Sequence, residues 1–178
     1  MENKDQQFKI ILEYIKDLSI ETPSASALTF VRNNLSNYIM DIEALKEALC
    51  NENNSSIIKT SISEIKSNKN TILQRLGLNR EDLKNLNKKL KGYRYIEDIN
   101  DLVCGNTIKT IKLLENDNIK LNSNVIICDI KLLKKGSAIS VRTFFNKHYT
   151  LYFEEHLIFQ KITNEEALIL KAVNYLEK

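Results

Sequence analysis

Phe8-Lys9-Ile10-Ile11-Leu12-Glu13-Tyr14-Ile15-Lys16-Asp17-Leu18-Ser19-Ile20-Glu21-Thr22-Pro23-Ser24-Ala25 is the stretch on which the reading of this 178-residue chain turns. Two periodicities compete in it. Phe8, Ile10, Leu12 and Tyr14 alternate, as one face of a strand requires. Phe8, Ile11, Leu12, Ile15 and Leu18 would equally line one face of a helix. Pro23, the only proline, ends the element in either case, because it restricts the residue before it and has no N–H to donate.

The order of side chains decides between the two. A tyrosine, Lys16-Asp17, the apolar Leu18, Ser19 and then Glu21-Thr22-Pro23 resembles the opening strand of the SecB family of protein-export chaperones. The resemblance extends over about residues 8–65 and implies antiparallel strands there, with Tyr38–Glu43 among them. It further implies a tetramer that holds unfolded preproteins and hands them to the SecA motor. Asp17 and Glu21 would then be the acidic SecA-contacting pair. Phe8, Ile10, Leu12 and Tyr14 would supply the client groove or its core face. Read without the family, Asp17 and Glu21 are a solvated strand end and the apolar set is ordinary core.

Outward from this stretch, Val31, Leu35, Tyr38, Ile42, Leu45 and Leu49 recur at spacings of four and three, a helical pattern that ends in the strong helix formers EALKEAL. Here the family's strand is taken over the local propensity. Ile57–Ile65, IIKTSISEI, is rich in β-branched residues and reads as a further strand. From Thr71 the character changes. Leu73 and Leu76, then Leu83, Leu86 and Leu90, predict two helices, the second capped by Asn79 and ended at Gly92, with a short helical face from Ile96 to Val103.

Residues 107–114, 124–133, 138–145 and 149–153 read as strands, with turns at Lys134–Ser137 and Asn146–His148. Thr163 and Glu166 form a capping box ahead of a closing helix over 164–177. The expected fold is therefore α+β. A SecB-like strand segment spans 1–66, and a second unit spans 67–178, with helices in 71–104, strands in 107–153 and the closing helix.

Composition narrows the function. Charged residues make up 28% and hydrophobic ones 43%, which is ordinary for a globular chain. No run of apolar residues is long enough to span a membrane, and MENKDQQFK lacks a signal-peptide core, so a cytoplasmic protein is expected. Cys50, Cys104, Cys128, His148 and His156 have no metal-ligand spacing. With no glycine-rich phosphate loop, nucleophile elbow or His-Glu motif, a non-enzymatic protein without cofactor is expected.

Charge is uneven. Residues 1–50 carry 5 basic and 8 acidic side chains, whereas residues 51–135 carry 16 and 10. This points to an alternative, a nucleic-acid-binding module. Lys84, Lys88, Lys91 and Arg94 would meet phosphates, and Tyr93 would stack on a base. The C-terminal strands add Lys131, Lys134, Lys135, Arg142 and Lys147 beside Phe144, Phe145, Tyr149 and Tyr152, as a small aromatic barrel would.

Overall fold

The computed structural model describes residues 43–113, 119–134 and 136–176. The expected strands around Phe8–Tyr14 and Tyr38–Ile42 lie outside these residues. The fold is α+β, with helices against a six-stranded antiparallel sheet of order β1-β6-β2-β3-β4-β5. Residues 43–50 form α1, followed by α2 (Ser55–Ile58), α3 (Ile62–Gln74) and α4 (Arg80–Lys89). The strands are β1 (Tyr93–Ile96), β2 (Thr107–Lys112), β3 (Val125–Leu133), β4 (Gly136–Thr143), β5 (His148–Tyr152) and β6 (His156–Lys161), and α5 (Asn164–Leu176) closes the chain.

Three expectations are corrected. Glu43, expected to end a strand, instead opens a helix over residues 43–50, as the helix formers of EALKEAL favour, and most of Ile57–Ile65 is helical, not extended. At the second site a reciprocal capping box outweighs β-branching. The Ser61 hydroxyl accepts from the Glu64 amide, and the Glu64 carboxylate accepts from the Ser61 amide at 2.8 Å. The helical burial of Ile57 and Ile65 against α5 completes the preference.

Tyr93–Ile96, expected within the helical region 71–104, is an edge strand paired with Lys161–Ile158, and only Ile99–Asp101 forms a 3-10 turn after it. β6 itself falls in the gap left between the expected strands and the closing helix. The boundary expected at residue 66 lies inside α3, whose Ile65 packs with Ile169 and Leu170 while its Leu73 packs with Leu90 and Phe159.

The sheet must curl. β5 is four places from β6 in the strand order, a separation of about 19 Å in a flat sheet. Yet only the 3-10 turn Phe153–Glu155 joins them, and a link of this length reaches about 15 Å even when extended. The curl brings Ile96, Ile108, Ile127, Ile139, Leu151 and Ile158, one from each strand, into a single buried cluster. The sequence alternates accordingly. Ile108 faces this interior, whereas Lys109 and Ile111 face the other side, where Ile111 and Phe159 pack under α3 and α4.

Lys69 sits between the two halves of α3 and is buried. Its ammonium donates to the carbonyls of Leu90 (3.1 Å), just past the end of α4, and of Tyr93 (3.4 Å), at the start of β1, and so ties the α4–β1 junction to α3. Burial first, and Lys66 second, holds this ammonium below its ordinary pKa of 10.5.

Candidate binding surface

α4 begins as the sequence predicts, with the Asn79 side chain accepting from the Asp82 amide at 2.8 Å. Glu81 and Asp82 occupy the first turn and Lys88 and Lys89 the last, each matched to the helix dipole. Leu86 is buried against the sheet, so Lys84 and Lys88 are left exposed on one helix face, and Lys91 is exposed in the turn that follows.

The other two members of the expected phosphate-and-base set do not join them. Tyr93 is 6% exposed, and its hydroxyl donates to Asn124 Oδ1 at 3.0 Å, so its ring is not open to a base. Burial raises its pKa, against the opposing effect of the Asn124 hydrogen bond. Arg94 is spent internally. Its Nη2 lies 3.0 Å from Glu166 Oε1, its Nε donates to the same oxygen at 3.1 Å, and Nη2 also donates to the Asp101 carbonyl. The cause is topological. In β1 the pairing Arg94↔Gln160 places Arg94 at the base of α5, where the capping-box carboxylate of Glu166 awaits it.

The lysine stripe gains a neighbour that the sequence reading did not single out. Lys109 Nζ lies 4.7 Å above the Tyr93 ring and donates to the Lys89 carbonyl at 2.6 Å. Burial first, and then the charge of Lys89, lowers its pKa. Among the described residues it has no carboxylate partner. The alternation of TIKTIK, which sets Lys109 on the face opposite Ile108, was the available signal.

The second surface is the β4–β5 hairpin. Thr143 and Lys147 close a three-residue loop, with the Thr143 amide donating to the Lys147 carbonyl at 2.9 Å. Asn146 takes the left-handed conformation (φ 58°) that such loops require at their last residue, and asparagine tolerates it. Phe144 and Phe145 therefore occupy the turn itself and stand 68% and 88% exposed. Arg142, Lys147 and His148 flank them, the last two exposed.

Tyr149 and Tyr152 follow on the edge strand, half-exposed and on opposite faces of it. Between Val125 and Tyr152 the chain has five lysines and arginines against one acidic residue, Asp129. That aspartate is paired with Lys131 at 3.2 Å in the open, a contact of little energetic weight. The other tip, β3–β4, exposes Leu132 and Leu133 beside Lys134.

Phe8, Ile10, Leu12, Tyr14, Asp17 and Glu21 lie outside the described residues. Among the described residues no group of three or more His, Cys, Asp or Glu side chains is placed to hold a metal. A cavity of about 110 Å³ lined by Ile57, Ile65, Asn68, Arg94, Glu97 and Asp101 has room for a few water molecules. No described helix is long and apolar enough to cross a membrane. No protein-family model matches the chain, and comparison with curated proteins and with solved structures gives no match.

Proposed function

We propose that this chain is a non-enzymatic binding module that holds single-stranded nucleic acid on the β4–β5 hairpin of its curled sheet. The observation that carries the reading is the pair Phe144–Phe145, exposed at 68% and 88% beside Arg142 and Lys147. Exposed rings offer stacking platforms for unpaired bases, and a surface almost free of carboxylates attracts the phosphates between them. Phe144 and Phe145 stack, while Arg142 and Lys147 neutralise.

A second reading keeps the SecB-like chaperone. It is favoured by the run Phe8–Pro23 and by two exposed apolar pairs, Leu132–Leu133 and Phe144–Phe145, that suit extended apolar segments of an unfolded preprotein. In that reading Asp17 and Glu21 meet SecA, and the chain self-associates in the cytoplasm.

Salt separates the two. With about two phosphates neutralised, a fourfold rise in salt weakens single-strand binding roughly sevenfold. Apolar client binding has no such dependence. Fluorescence anisotropy of a labelled 12-mer oligonucleotide, run beside an aggregation assay with an unfolded client, tests both. Oligonucleotide binding with that salt loss supports the first reading. Client protection that survives high salt, with no oligonucleotide binding, replaces it with the second.

A further inference from the structure

Resting on the nucleic-acid reading, we infer that the α4 lysines and the Phe144–Phe145 hairpin form one continuous track for a single strand rather than two unrelated patches. In sequence they are separated by four strands, β1 to β4, and the segments between them. In the fold a short chain of contacts joins them. Lys109 is bonded to the end of α4 through the Lys89 carbonyl and lies over the Tyr93 ring. The Tyr93 hydroxyl donates to Asn124. Asn124 precedes Val125, whose backbone partner on β4 is Thr143, the residue immediately before Phe144.

Two strand spacings, about 10 Å, thus carry the surface from Lys109 to the hairpin. Along α4, Lys84 to Lys89 adds about another 8 Å, and Lys91 follows in the turn after it. The resulting length falls at the low end of the roughly 4 to 16 nucleotides that a single-strand-binding OB fold covers.

Electrostatics agrees with this placement. Lys88, Lys89, Lys91 and Lys109 crowd the end of α4, and among the described residues none is in a salt bridge. The repulsion between Lys89 and Lys109 is of the kind that a bound phosphate relieves. Phosphates enter along the lysine stripe, pass Lys109, and present the bases beyond them to Phe144 and Phe145. The carbonyls ending α4 are already taken by Lys69 and Lys109, so the exposed Lys88 and Lys91 ammonium groups are not needed to cap it.

The test compares the full chain with two variants, Lys88→Gln/Lys91→Gln and Phe144→Ala/Phe145→Ala, by anisotropy across a salt series and by calorimetric stoichiometry with a 12-mer of thymidine. All four positions are exposed, so both variants should fold as the parent does. One track predicts one oligonucleotide per chain. The lysine variant should weaken its binding and flatten the log–log salt slope by about 1.4, as the loss of two phosphate contacts requires. A lysine variant with the parental slope and affinity, while the phenylalanine variant loses binding, would overturn the single track and leave the hairpin reading in place. Two oligonucleotides per chain would also overturn it. Absence of salt-sensitive binding by the parent chain would remove both.

Discussion

Replacing Arg94 with methionine separates a structural arginine from a phosphate-binding one. Its side chain is 6% exposed and that of Glu166 2%, at a closest approach of 3.0 Å. Removing one partner of such a pair leaves the other charge buried, at a cost of about 3–5 kcal/mol. Glu166 keeps one bond, from the Thr163 amide at 2.8 Å, so Arg94→Met belongs at the lower end of that range. With a urea m-value of about 2 kcal/mol/M, the unfolding midpoint should fall by roughly 1.5 M.

Adding Glu166→Gln removes the stranded charge while keeping a side-chain oxygen for the cap, and should restore 1 kcal/mol or more, roughly the worth of an uncompensated buried group. Equilibrium urea unfolding of the parent, the single variant and the double variant measures both effects. A midpoint lowered by less than about 0.5 M in Arg94→Met, or a double variant no more stable than the single, would refute the reasoning. An Arg94 that served phosphates would instead lose oligonucleotide affinity with its stability intact.

Phe144→Ala and Phe145→Ala should each leave stability within about 0.5 kcal/mol, because the rings are exposed, yet weaken oligonucleotide binding by about 1–3 kcal/mol, or five- to 150-fold, in an anisotropy titration. Gly136 has φ 126°, and a Cβ there would lie 2.8 Å from Glu154 Oε2, so Gly136→Ala should destabilise by more than about 1 kcal/mol in thermal or urea unfolding. Ser61→Ala removes the α3 cap and should cost about 0.5–2 kcal/mol by the same assay. Glu154 is held below its ordinary pKa of 4.5 by its own backbone amide and by that of Ser137. A carboxylate so depressed binds fewer protons in the folded state than in the unfolded one. Its contribution is therefore complete above 4.5 and is lost as pH falls through the lower folded value. The Ser137 amide resonance should titrate with a midpoint below 4.5, and Glu154→Gln should abolish that titration.

What the sequence made legible was local chemistry. Asn79 caps α4, and Thr163 and Glu166 cap α5 in both directions, because a side-chain oxygen three residues from a free amide has few other uses. The strands around 107–112, 125–133, 136–143 and 148–152 followed from β-branched runs separated by turn residues. Residues 57–65 misled, because β-branching is a weaker signal than the Ser61-x-x-Glu64 box inside the same run.

Position relative to the rest of the chain was the part least legible. Nothing local to Tyr93-Arg94 reveals that β6 will pair with it, bury the tyrosine and bring the arginine to Glu166. The hairpin was legible in part: the sequence placed a turn at Asn146–His148 with Phe144 and Phe145 ending a strand, whereas β4 ends at Thr143 and the left-handed Asn146 puts both phenylalanines in the turn itself. The link from Lys109 through Tyr93 to Asn124 exists only in three dimensions.

The most direct test is to find where a single strand touches the protein. A photoreactive 12-mer, cross-linked at low salt and mapped by mass spectrometry, should label the β4–β5 turn at Phe144 or Phe145, with labelling lost at high salt. Labelling confined to other segments, or none at any salt, would contradict the account.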